Sequence, residues 1–293
     1  MDYQQYTESV ISAIGEKASP RVKSSFPILI RKLHEFIVEA DITAVEWLNA
    51  CELLIEAGKA SNDKRNEMVL VSDVLGVESL VDTLAYVRGK ETNDQACESA
   101  ILGPFYRAGV PTQENGTSIV RQNEPAGDYT YLHGRILDVD GRTVSDAVVD
   151  IWHDAPDGFY DAQSPDKPEY HCRGRFKTDS DGRYSTICLR PTAYPIPFDH
   201  SAGKLLKLMD RHPMRPAHIH FKVEATGYKT IVTQVFDRKS DYLDNDSVFA
   251  VKESLMVDFQ PFSQQPSTLK LPKELYGKVK FELQYDIKLQ KSP

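Results

Sequence analysis

The period of the hydrophobic positions changes near residue 100. Before it, apolar residues recur at three- and four-residue steps. In SSFPILIRKLHEFIVEAD, Leu29, Leu33, Phe36 and Ile37 fall on one face of a helix. Thr43 followed by Glu46 is the pattern of a capping box. It opens a second helix carrying Val45, Leu48, Cys51 and Ile55, which Gly58 can end. A third helical run, NEMVLVSDVLGVESLVDTLAYV, contains Gly76 as an expected bend or break. The polar connector RGKETNDQACES and the Gly/Pro-punctuated LGPFYRAGVP follow.

Beyond that point the period is two. GRILDVDGRTVSDAVVDIWHD has an Asp-Gly turn at 140–141 and then an alternating strand in which Val149, Ile151 and His153 share a side. RGRFKTDSDGRYSTICL repeats the plan around Asp181-Gly182, and HIHFKVEATGYKTIVTQVFD reads as two strands around a Thr-Gly turn. KVKFELQYDIKL places Val279, Phe281, Leu283, Tyr285 and Ile287 on one face. Short strands separated by turn signals predict a β-sandwich. The expected architecture is mainly β with a helical N-terminal part: residues 1–100 helical, 101–293 a β-sandwich domain.

Composition narrows the class. A chain of 293 residues with average apolar and charged content can bury a substantial core. A net charge of −8 argues against a general nucleic-acid binder. No apolar run approaches membrane-spanning length, and MDYQQYTESV lacks the basic and apolar regions of a signal peptide. Cys51, Cys97, Cys172 and Cys188 lie far apart with no CxxC pair, as ordinary thiols do. The expectation is a soluble cytoplasmic protein.

The candidate chemistry lies in RPAHIHF. Side chains two apart on a strand share a face, so His218 and His220 can converge on one ion if that face is a pocket. Imidazole suits zinc, iron, copper and nickel, so the pair does not name the metal. The other reading packs one histidine under a loop and leaves the other in solvent. The remaining six histidines are scattered, without zinc-like spacing. Tyr160 ends the turn-rich DAPDGFY, and Tyr194 sits among three prolines in RPTAYPIPF. Each can be a buried aromatic with a bonded hydroxyl, or a phenolate held ionised by a trivalent metal. Spacing does not select these two from fourteen tyrosines.

From about residue 65 to about 260 the chain resembles the intradiol ring-cleaving dioxygenases, non-haem iron(III) enzymes that open catechols between their two hydroxyls. GVESLVD, LGPFY, GRILDVDGRTVSDAVVDIWHDAPDGFYD, RGRFKTDSDGRYSTICLRPTAYPIP, RPAHIHF and VTQVFD carry the resemblance, in the family's order. It implies Tyr160, Tyr194, His218 and His220 as ligands of one Fe(III) per subunit. It implies Arg215 beside the metal-bound substrate and Gln234 near the same site. A surface ion pair and a strand-face amide are the plain readings of those two residues. The implied chemistry has the diol bind through both oxygens, Tyr194 leaving and taking a proton, with Arg215 stabilising negative charge. It also implies a homodimer through the N-terminal helices, with a lipid bound at that interface. A helix face packed on its own domain would explain the same apolar positions.

The resemblance further places substrate-facing residues at Leu70, Asp73, Ile101, Leu102, Gly103, Pro104, Phe105, Ile196, Pro197 and Val248. Asp73 is the informative one. Catechol-restricted members carry an apolar residue or proline there, and hydroxyquinol-cleaving members an aspartate. A buried carboxylate is costly unless paired, and a third ring hydroxyl would give it a donor. Otherwise Asp73 caps the helix or faces solvent at the bend before Gly76. LGPFY also resembles the hydroxyquinol branch. The expectation is cleavage of hydroxyquinol (benzene-1,2,4-triol) with O2 to maleylacetate, and of catechol more slowly. Catechol as main substrate, a zinc hydrolase and a non-enzymatic sandwich module are the competing readings.

Overall fold

The computed structural model describes residues 2–91, 96–263 and 273–292, so part of the polar connector, 92–95, lies outside the described residues. The chain divides into two compact units, Met1–Ile55 and Glu56–Pro293. The expected boundary at residue 100 falls within the second.

The first unit holds α1 (Tyr3–Ser12), α2 (Pro20–Glu39) and most of α3 (Ala44–Ala60). Ser19 caps α2, and Pro20 occupies its first turn, where a missing N–H costs nothing. The capping box of α3 is reciprocal: Thr43 N–H donates to Glu46 Oε2 at 2.9 Å, and Glu46 N–H to Thr43 Oγ1 at 3.2 Å. The helix runs through Gly58 to Ala60. It stops where the Ser61 hydroxyl and N–H both take the Ala57 carbonyl. Leu29, Leu33, Phe36 and Ile37 of α2 are exposed.

The second unit begins with α4 (Glu67–Val74) and α5 (Val77–Glu91), separated at Gly76, whose φ of +70° a side chain would resist. The strands follow: β1 (Thr112–Gln113), β2 (Tyr129–Asp138), β3 (Val148–Trp152), β4 (Arg173–Lys177), β5 (Arg183–Leu189) and β6 (Tyr194–Pro195). After α6 (Ser201–Leu208) come β7 (Met214–Arg215), β8 (His218–Glu224), β9 (Ile231–Asp237), β10 (Met256–Val257), β11 (Gln260–Pro261), β12 (Val279–Gln284) and β13 (Ile287–Leu289).

One sheet has the order β1-β4-β3-β8-β9-β10. The other has β11-β12-β2-β13, with β5 also on β2. Their inner faces share one core, Val149, Ile151, Phe176, Ile219, Phe221 and Val235 meeting Leu132, Ile136, Cys188, Leu283 and Ile287. This is the expected sandwich. Of the three turn segments, only the Thr-Gly one joins neighbours of one sheet, β8 and β9. Both Asp-Gly turns instead cross between sheets, from β2 to β3 and from β4 to β5. KVKFELQYDIKL divides into β12 and β13 along β2. Between them Tyr285 approaches so closely that a Cβ on Gly134 would lie 1.8 Å from its carbonyl oxygen.

Candidate active site

The site lies on the face of β8 turned away from the shared core. Ile219, Phe221 and Val223 enter the core, so the two-residue period turns His218 and His220 the other way. Trp152 of β3 and Gln234 of β9 stand opposite His220, and Phe236 opposite His218. Tyr194 is brought alongside by the short β6–β7 ladder, where it pairs with Arg215. Tyr160 heads a 3-10 turn and is held by its N–H donating to Gln163 Oε1 at 2.9 Å. Gly158, at φ +78°, permits the close pass: a Cβ there would meet Tyr194 Cβ at 3.2 Å.

Four donor atoms converge. Tyr160 Oη lies 3.2 Å from Tyr194 Oη, Tyr194 Oη 3.4 Å from His218 Nε2, and His218 Nε2 3.1 Å from His220 Nε2. All four residues are at most 3% exposed. His218 Nδ1 lies 2.7 Å from the Pro216 carbonyl, which places its proton there and a bare lone pair on Nε2. Burial, reinforced by Arg215, holds His218 well below the usual imidazole range, and burial with His218 does the same to His220. Burial and then Tyr194 push the Tyr160 phenol well up. Burial raises Tyr194 too, against Arg215.

Two neutral imidazoles and two phenols, spaced like neighbouring ligands on bonds of about 2 Å, have the chemistry a metal ion needs. Among the described residues no three His, Cys, Asp or Glu side chains cluster as a metal site, and the donors beside the two imidazoles are the two phenols. Tyrosine is a recognised iron ligand.

Arg215 is neither a surface residue nor free to turn. Its Nε and Nη2 donate to Asp246 Oδ1 and Oδ2 at 3.1 and 3.3 Å, and Nη2 also to Gln234 Oε1 at 3.0 Å. That leaves Nη1 3.0 Å from His218 Nε2. Burial opposes its charge, but Asp246 and Tyr194 hold the guanidinium protonated. Gln234 is anchored by donating to the Ile101 carbonyl at 2.7 Å.

Leu70, Ile101, Ile196 and Val248 meet in one apolar cluster, and Phe105 packs with Trp152, Tyr160 and Tyr194, Leu102 against them. Gly103, at φ +72°, brings its backbone against His220, and Pro104 accepts from Asn66 N–H. Pro197 is half-buried beyond Ile196. Asp73 neither caps nor meets solvent: it is 1% exposed, and neither carboxyl oxygen has a hydrogen-bond partner. Burial, with the Glu78 carboxyl beside it, pushes its pKa up to about 9.

Several residues of the site carry no sequence signal. Trp152 stacks on His220, with ring centroids 4.7 Å apart. Asp246 holds Arg215. Arg173, buried and paired to Asp161, lies over the Tyr160 ring. The register of β3 against β8 could have pointed to Trp152; nothing local points to the other two.

Residues 101–291 match the family described as Dioxygenase, and residues 19–93 match Catechol dioxygenase N terminus. Catechol 1,2-dioxygenase of Candida albicans is 41% identical, over 98% of this chain and 92% of its own length. Hydroxyquinol 1,2-dioxygenase of a Rhizobium species is 41% identical over 88% of this chain and 85% of its own. The solved hydroxyquinol 1,2-dioxygenase of Pseudomonas putida superposes with a TM-score of 0.82 at 33% identity, covering 99% of this chain and 98% of that one.

Proposed function

The chain belongs to the intradiol ring-cleaving dioxygenases, and from that premise we propose that it cleaves hydroxyquinol with O2 between the vicinal hydroxyls, giving maleylacetate, with catechol a slower substrate yielding cis,cis-muconate. The family uses non-haem iron. We assign one Fe(III) per subunit to Tyr160, Tyr194, His218 and His220, the four residues whose donor atoms converge. When bound, the ion supplies Lewis-acid activation of the diol toward O2.

The protein's own groups do the rest. Both phenols resist ionising in their burial, so their deprotonation is coupled to the arrival of a cation. Tyr194, as phenolate, takes the proton of a substrate hydroxyl at its Oη. Arg215, across the β6–β7 ladder, favours the phenolate before the proton arrives. Arg215 keeps Nη1 turned to the site because Asp246 and Gln234 hold its other nitrogens. Negative charge developing on the substrate therefore meets a donor already in place. Burial of the whole set leaves these side chains little contact with bulk solvent.

The substrate reading rests on Asp73. At neutral pH its raised pKa keeps it a neutral acid, able both to donate to and accept from a third ring hydroxyl. Catechol lacks that hydroxyl and leaves Asp73 facing only Glu78. The Candida albicans relative, matched over 98% of this chain, favours catechol as the main substrate instead. Comparing kcat/KM for the two substrates decides between them. We expect hydroxyquinol to lead by about 10²-fold or more, and Asp73→Leu to erase most of that lead. A wild-type preference for catechol would overturn the reading.

The exposed Leu29, Leu33 and Phe36 face of α2 supports a homodimer through the N-terminal helices. A cavity of about 430 Å³ in the first unit, lined by Tyr3, Tyr6, Ile37, Val38 and Trp47, supports a lipid there. Light scattering and lipid extraction test the two.

A further inference from the structure

We propose that Arg211 is a positioning residue that clasps the helix carrying Leu70 and Asp73 to the loop carrying Asp246 and Val248, and so sets the width of the substrate wall. Its Nη1 donates to the Val74 carbonyl, the last of α4, at 2.6 Å, and its Nη2 to the Ser247 carbonyl at 2.8 Å. The guanidinium carbon sits 4.4 Å from the centre of the Phe249 ring. One planar fork thus closes two segments distant in sequence. It does so at a helix C-terminus, where carbonyls lack partners and a cation is favoured.

Its base is rigid. Arg211 N–H donates to Leu206 O at 2.9 Å, and Leu206 and Ala202 of α6 are buried with Leu70 and Val74 in one cluster. The far side of the clasp is equally specified. Phe249 takes φ +57°, a conformation bulky side chains rarely adopt. Its ring lies where a Cβ on Gly76 would come within 3.3 Å, and its carbonyl accepts from the Ser79 hydroxyl at 2.5 Å. Gly76 at the helix break and the strained Phe249 therefore fit one another.

The loop folds around the Asp246 carboxylate. Val248 N–H donates to Oδ1 at 3.3 Å and Ala250 N–H to Oδ2 at 3.1 Å, the same two oxygens that hold Arg215. Movement of this loop relative to α4 would shift Val248 and Asp246 against Leu70 and Asp73. Lysine cannot replace the clasp, because a single ammonium does not span two carbonyls in a fixed plane as a guanidinium does.

The inference rests on the proposed substrate reading only for the substrate's name, and its test separates the two. Amide hydrogen exchange is measured on the iron-loaded wild type, Arg211→Met, Arg211→Lys and Phe249→Asn, with steady-state kinetics on hydroxyquinol and catechol. In Arg211→Met, exchange across 67–76 and 246–251 should quicken while β8 and β9 hold their protection. KM for the preferred substrate should rise about tenfold and kcat should fall by less than that, since the wall is displaced directly and Arg215 only through Asp246. Arg211→Lys should recover protection only in part and leave KM raised. Phe249→Asn, which tolerates the positive φ and keeps both carbonyl bonds, should raise KM less, and it carries the test if Arg211→Met does not fold. Unchanged exchange in both segments, or faster exchange with unaltered KM, would overturn the proposal. A wild type that prefers catechol would overturn only the substrate reading, and KM would then be read on catechol.

Discussion

Trp152 lies flat against His220, the ring planes 9° apart, directly opposite it across the β3–β8 pairing. A histidine needs its tilt set as well as its position, and this stack sets it. Tyr106 leans on Trp152 at 5.2 Å and backs the arrangement. Trp152→Leu should cost about 3 kcal/mol of stability and lower iron content per subunit. Trp152→Phe should keep most of both. Urea titration and metal analysis check this; full iron occupancy in the leucine variant would remove the orienting role.

Asp246 neutralises Arg215 in a site where both are buried. Asp246→Ala leaves a buried guanidinium without its carboxylate, and breaking such a pair costs about 3–5 kcal/mol. Asp246→Asn keeps the volume and should be milder in stability yet still lower kcat/KM, because Arg215 loses its bidentate hold. Equal kcat/KM in the asparagine variant and the wild type would show that Arg215 needs no such support.

The pKa of Asp73 is raised from 3.8 to about 9, so the folded chain binds a proton there that the unfolded chain releases. Its contribution to stability is full below about pH 4 and falls as pH climbs toward 9. The slope is at most ~1.4 kcal/mol per pH unit from this one group. Asp73→Asn, an isostere of the neutral acid, should flatten the dependence of the urea midpoint on pH between about 5 and 9. A variant as pH-sensitive as the wild type would place the proton elsewhere.

With iron bound, the two buried phenols should give the protein a visible charge-transfer band that shifts when hydroxyquinol is added without oxygen. Tyr160→Phe removes one oxygen donor and should lose most of the band together with tight iron binding. Chelation should abolish both colour and turnover. A colourless protein holding zinc would overturn the ligand assignment.

The helical first part, the alternating second part, the break at Gly76 and the Thr43–Glu46 box are all legible in the chain. Each depends on neighbours within a turn of helix or along one strand. The same two-residue period that sends Ile219 and Phe221 into the core puts His218 and His220 on one face. Tyr160 and Tyr194 needed a family resemblance, because fourteen tyrosines offer no local reason to choose them. Tertiary structure alone decides that both Asp-Gly turns cross between sheets, that Tyr194 pairs with Arg215, and that Asp73 ends buried beside Glu78. It alone brings Asp246 to Arg215, and Arg211 to Val74 and Ser247. Period and punctuation are properties of a short window, whereas these contacts arise when packing of the whole core brings distant segments together, and no short window records which carbonyl or carboxylate will be waiting there.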